Sequence, residues 1–186
     1  MTTLENTETK PVSAMIAGDM NFAVAIYPTH HEAEEAVKEL DAGGFDMTKI
    51  SIAGRDYQTD EQVLGYYNTG DRMKAWGKRG AFWGGLWGCM FGASFVVPGI
   101  GPIVAAGPLV AWIVGALEGA VAVGGLSALG AALFSTGIPK HSVLKYESDI
   151  QAGRFVLIAN GTPAEAAEAK SMLDITNHIG LNEHYS

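Results

Sequence analysis

From Ala81 to Pro139 the sequence carries one acidic residue, Glu118, and no basic one. A run of that length and polarity has to leave water, either in lipid or inside protein, because it has too little polar surface to cover itself. The charge lies on either side of it: residues 1–80 hold 13 acidic and 8 basic side chains, and residues 140–186 hold 6 and 4. With a formal net charge of −8 over 186 residues, the chain is poorly suited to gripping phosphate backbones, so nucleic acid is not expected as a partner. The single cysteine, Cys89, excludes an intramolecular disulfide framework and a multi-cysteine zinc site.

The apolar run is interrupted once, by Pro98, Gly99, Gly101, Pro102, Gly107 and Pro108. Proline lacks an amide donor and glycine suits turn conformations, so the cluster reads as the turn of a helical hairpin. One arm then runs from Gly80 to about Val97 and the other from about Pro108, which suits a first helical position. Arms of about 18 and about 27 residues measure roughly 27 and 40 Å, against a hydrocarbon thickness of about 30 Å, so both are long enough to span. Arg72, Lys74, Lys78 and Arg79 precede the first arm, and Lys140 and Lys145 follow the second. Positive flanks at both ends predict an inner (cytoplasmic) membrane protein with both termini cytoplasmic, with Trp76, Trp83 and Trp87 at the interface.

Within the arms, Gly80, Gly84, Gly88 and Gly92 recur every four residues, and Ala111, Gly115 and Gly119 repeat the device. Small residues at that spacing draw a smooth face along a helix and let two backbones approach closely, which predicts helix packing and a homo-oligomer, with membrane lipid as a further partner. Glu118 falls on the same stripe as Ala111, Gly115, Ala122 and Gly125, so it reads as a buried acid. Desolvation would favour its neutral form and make it a proton or ion site; the structural alternative is a hydrogen bond across an oligomer interface.

The polar flanks carry a different pattern. Phe22 to Tyr27 reads as a strand, Thr29 and Glu32 as a capping box opening a helix that Gly43 and Gly44 close, and Ile50 to Ala53 as a second strand. After the hairpin, Phe155 to Ala159 is a strand, and Thr162, Pro163 and Glu165 open a helix that runs to about Asn177 before Gly180. A shift of 133 residues superimposes the two without a gap, pairing Phe22 with Phe155, Thr29 with Thr162, Glu32 with Glu165, Ala36 with Ala169 and Leu40 with Leu173. Two β-α-β halves, with Leu181 to Tyr185 as the last strand, predict an α+β, ferredoxin-like βαββαβ sandwich split by a long glycine-rich hydrophobic helical hairpin. The expected organisation is a polar flexible tail (1–20), the two halves of one domain (21–55 and 154–186), a basic linker (56–79), the hairpin (80–138) and an amphipathic helix (139–153). The tail holds Glu5 and Glu8 and reads as no secretory signal.

At this point the chain resembles the bacterial general stress proteins, a family that includes the heat-induced stress proteins. The residues that carry the resemblance are the first strand and helix, the glycine arm, Pro98-Gly99-Ile100-Gly101-Pro102, Ala105-Ala106-Gly107-Pro108, Gly137-Ile138-Pro139, Tyr146-Glu147 and Gly153. The resemblance implies a stress-related, non-enzymatic protein associated with a membrane, and brings no catalytic residues. His30, His31, His141, His178 and His184 are scattered, so no metal is expected. Gly84-Gly85 and Gly124-Gly125 lack the context of nucleotide loops, so no cofactor is expected either. Two function classes follow: a membrane-inserted hairpin that oligomerises through its glycine faces, with a cytoplasmic sensing or docking domain, or a soluble or peripheral homo-oligomeric scaffold subunit, located in the cytoplasm, whose hairpins form a hydrophobic core or conduit.

Overall fold

The computed structural model describes residues 20–55, 94–97, 99–118 and 126–185, leaving aside the side chains of residues 94, 95 and 118. Strand β1 (Asn21–Tyr27) leads through the cap of Thr29, whose hydroxyl accepts the Glu32 amide at 3.3 Å, into α1 (His30–Ala42). A 3-10 turn at Met47–Lys49 delivers β2 (Ile50–Arg55). Next come β3 (Ser94–Val97), β4 (Gly101–Ala106) and the helices α2 (Leu109–Glu118), α3 (Ala128–Ser135) and α4 (Lys140–Gln151). Strand β5 (Phe155–Gly161), α5 (Pro163–Asp174) and β6 (Gly180–His184) complete the described elements.

The six strands form one antiparallel sheet in the order β3-β4-β2-β5-β1-β6. The segments related by the 133-residue shift therefore share a sheet, with β5 in register against both β1 (Phe22 opposite Asn160) and β2 (Ile52 opposite Leu157). Helices cover both faces. On one, Ala23, Ala25 and Tyr27 of β1 and Leu157 of β5 pack with Ala33, Ala36, Val37 and Leu40 of α1 and Ala169 and Leu173 of α5. On the other, Phe22, Val24, Ile26, Val156 and Ile158 lie under Leu109 and Ile113 of α2, Leu129 and Leu133 of α3 and Val143, Tyr146 and Ile150 of α4. All seven residues of β1 are buried, so from Phe22 to Tyr27 it reads as a continuous apolar run instead of the alternation of a strand with one wet face.

The helical hairpin is corrected here. Where one arm was expected to continue as helix to Val97, Ser94–Val97 is a strand, paired in register with Gly101–Val104. The Pro/Gly cluster closes a β-hairpin: Gly99 has φ of 89°, and the Ile100 amide donates to the Val97 carbonyl at 3.1 Å. That is the backbone a type II turn requires. β-Branched Val96, Val97, Ile103 and Val104 favour the pleated edge that β2 leaves open. Nor is the second arm one helix of 27 residues. Leu126 and Ser127 are not helical, and the Ser127 hydroxyl caps α3 by accepting the Gly130 amide at 3.1 Å.

Membrane-spanning arms are corrected for the same reason. Among the described residues no helix is long and apolar enough to cross a membrane. The apolar chain is used instead to extend the sheet and to cover its second face, where Ile103, Ala105, Leu109, Ile113, Leu129 and Leu133 are buried. The transmembrane assignment and the inner-membrane location built on it lose their support.

Candidate interaction surface

The path from β4 into α2 is set by two contacts with β2. Gly107 has φ of 83°, and a Cβ placed on it would lie 2.9 Å from the Ser51 Cα and closer still to the Ile50 carbonyl. Only glycine fits that approach. The Ser51 hydroxyl accepts the Leu109 amide at 3.1 Å, satisfying one of the donors that a helix start leaves free. Leu109 and Ile113 then point into the core, and Trp112 meets the Phe22 ring edge-on at 6.4 Å and 83°.

The opposite face of α2 presents Ala111, Val114, Gly115 and Leu117 to the outside, and a Cβ on Gly115 would have no neighbour within 4 Å. Helix α3 packs against both α2 and α4. It is fixed by Glu147 of α4, whose carboxylate accepts the Ser127 amide at 3.2 Å and the Ser127 hydroxyl as well. The same carboxylate occupies the space a side chain at Gly130 would need. At the far end of α4, Gln151 donates from Nε2 to the Gly99 carbonyl at 3.1 Å and accepts from Arg55 through its own carbonyl at 3.3 Å, tying the helical layer to the β-turn. The outer surface of this layer shows large apolar side chains: Val114 (38% exposed), Leu117 (41%), Phe134 (42%) and Leu144 (46%).

The α1/α5 layer is different in kind, with Glu35, Glu39, Glu168 and Asp174 exposed along it. Its helix starts are capped by the repeated motif, Thr162 and Glu165 forming the complete capping box on α5. Lys49 reaches the Glu165 carboxylate at 2.7 Å. That hydrogen bond, with those from Thr162, holds the Glu165 carboxyl down at about 2. Tyr27, whose hydroxyl meets that of Thr176 at 2.8 Å, is pushed up to about 12 by burial. Tyr146 is likewise raised by burial and meets His184 Nε2 at 2.6 Å, while burial and the nearby His141 lower His184.

Of the residues singled out in the sequence, Ala111 and Gly115 lie together on the exposed face of α2, and Gly99, Gly101 and Gly107 carry the positive-φ turns at either end of β4. Pro102 lies in β4 and Pro108 immediately before α2. Gly80, Gly84, Gly88, Gly92, Gly119, Pro98 and the side chain of Glu118 are outside the described residues, as are Arg72, Lys74, Lys78, Arg79 and the three tryptophans before the hairpin. No role was expected for Ser51, Val114 or Leu117, and Glu147 entered only through the family resemblance. In a helix apolar on every side no polar contrast marks which face is exposed, but the Tyr146-Glu147 pair inside an amphipathic helix was a usable signal for an inward carboxylate. Among the described residues no group of three or more His, Cys, Asp or Glu could hold a metal ion.

Residues 23–95 match the heat induced stress protein YflT domain. The YflT-like region takes in nearly all of β1, then α1, β2 and the start of β3, and ends before β4 and the helical layer. It supports the stress-protein resemblance for that part of the chain. No curated protein and no solved structure matches the chain.

Proposed function

We propose that this chain is a non-enzymatic, stress-related scaffold subunit that assembles with copies of itself through its helical layer. The apolar side chains exposed along the helical layer carry the proposal: α2 and α3 expose Val114, Leu117 and Phe134, and α4 exposes Leu144 together with Lys140, His141 and Lys145, whereas α1 and α5 expose Glu35, Glu39, Glu168 and Asp174, with Ile175 at the end of α5. Apolar groups gathered on one surface of a folded chain mark a place where protein meets protein. The fold behind it is a ferredoxin-like βαββαβ sandwich, supported by the strand order β2-β5-β1-β6 with α1 and α5 on one face. The β3-β4 hairpin adds two strands beside β2, and the helical layer covers the face such a sandwich usually leaves open. The YflT-like match over residues 23–95 supports the stress-related role.

The test is native mass by light scattering across a dilution series, for the wild type and for Phe134→Glu with Leu144→Glu. A defined oligomer that the double substitution converts to monomer is expected. A wild type that is monomeric throughout, or a variant with unchanged mass, refutes the proposal.

A further inference from the structure

Strand β6 is thinly covered. It stands at one end of the six-stranded sheet, pairs among the described strands with β1 alone, and has all five of its residues only partly buried. Segments of this kind open locally at a cost well below that of unfolding the whole chain, so each side-chain tie counts. Towards α5, Leu181 packs against the core and Glu183 accepts from Lys170 at 3.0 Å. Towards the helical layer the tie is Tyr146 of α4. Its hydroxyl meets His184 Nε2 at 2.6 Å and also the Asn182 side chain, and the Tyr146 and His184 rings stand edge-on at 5.9 Å and 74°.

The register places His184 opposite Phe22 and Asn182 opposite Val24, so both face the core beneath α4. Asn182 favours the ionised phenol, as a donor does. Its amide therefore donates to the Tyr146 oxygen, and the hydroxyl proton is left to donate to Nε2 of a neutral imidazole.

We propose that Tyr146 and His184 form an acid-sensitive latch: a proton taken up at His184 Nε2 turns that acceptor into a donor, loosens β6 from β1 and bares the β1 edge. Nε2–H and the Asn182 amide then point at the same tyrosine oxygen, and the hydroxyl proton loses its acceptor. No free carboxylate stands ready to hold the imidazolium. His141 and Lys145, exposed on α4, are basic. Asp149, one turn beyond Tyr146, is engaged by Arg154. Glu183 lies on the other side of the sheet with Lys170 and Tyr185, and β1 brings only Phe22 and Val24. Burial and His141 accordingly hold the His184 ring below its ordinary 6.5. The open strand takes up the proton more readily than the closed one, so closure is fully favoured above 6.5 and weakens as pH falls below it.

The test is amide hydrogen exchange of the full-length chain between about pH 7.5 and about pH 5.5, a range that brackets histidine titration, with each rate divided by that of unstructured peptide at the same pH. Protection over residues 181–184 should fall several-fold, by up to about tenfold per pH unit, while residues 155–159 of β5 keep theirs. His184→Gln retains an acceptor for Tyr146 and cannot titrate, so its β6 should be equally protected at both ends of the range. In nitrogen-15 spectra of the wild-type imidazoles, His184 should carry its proton on Nδ1 at about pH 7.5, a result that does not depend on how the variant folds. An Nε2–H tautomer overturns the proposal. So does a wild-type β6 whose protection ignores pH, the same loss in His184→Gln, or a loss that runs equally through β5.

Discussion

Replacing Gly107 by alanine separates two costs that usually arrive together. The residue has φ of 83°, where an L side chain costs about 1–2 kcal/mol from its own backbone. Its Cβ would also be driven into β2, 2.9 Å from the Ser51 Cα, with the Ile50 carbonyl nearer still. Those are backbone atoms that cannot rotate away, so β4 or β2 must shift, at a further cost of about 1–3 kcal/mol by analogy with overpacking. Gly99 supplies the control, because its φ is 89° and a Cβ there meets nothing within 4 Å. Gly99→Ala should show the conformational cost alone, and Gly107→Ala a total of about 2–5 kcal/mol. For a domain of ordinary stability, about 5–15 kcal/mol, the second is a large share. Urea unfolding followed by far-UV circular dichroism reads both, with the denaturant slope expected to stay constant. The extra penalty corresponds to a melting temperature lower by roughly 2–12 °C than that of Gly99→Ala. Equal midpoints for the two variants would refute the close approach of Gly107 to β2.

Ser51→Ala should cost about 0.5–2 kcal/mol, since it leaves the buried Leu109 amide without an acceptor; an unchanged urea midpoint would show that the cap is idle. Glu147→Ala should cost about 1–3 kcal/mol and loosen α3, measured as faster amide exchange over residues 128–135, because Ser127 loses its partner in a half-covered site. Glu165 has its folded value lowered from 4.5 to about 2, so its stabilising effect is present above pH 4.5 and is lost as pH falls towards 2. Lys49→Met should flatten that acid limb in a pH series of melting temperatures, and an identical limb would argue against the pair. Tyr27 is raised from 10.0 to about 12, so its contribution is full below pH 10 and disappears between 10 and 12. In Tyr27→Phe that alkaline loss should shrink, which the same series tests.

The two repeated halves were legible because their signals are local. Thr29 with Glu32 and Thr162 with Glu165 cap helices by contacts three residues apart, and both appear where the spacing places them. The apolar middle was misassigned because its signal is not local. A strand covered on both faces and a buried helix both read as continuous apolar sequence, and the Pro/Gly cluster serves a helical or a β-turn equally well. The paired Val96-Val97 and Ile103-Val104 were the available evidence for strands, outweighed by glycine spacing on either side. What the sequence could not reveal is that α1 and α5 cover only one face of the sheet and leave the other within reach of that same apolar chain, which gives Leu129, Leu133 and Ile113 a place to be buried without lipid.

The position of β5 has a consequence for how the chain is made. β1 and β2 are not neighbours; each pairs with β5, which begins at Phe155. While the chain emerges from the ribosome, the apolar runs Phe22–Tyr27 and Ile50–Ala53 wait for most of synthesis before a common partner exists. Pairing across such sequence separation is slow and leaves strand edges exposed in the meantime. A nascent chain halted between residues 95 and 155 therefore holds the whole of the YflT-like region and still lacks the strand that joins β1 and β2 into one sheet. Such a chain is a natural client for chaperones, and premature termination should yield aggregates, not a smaller folded domain.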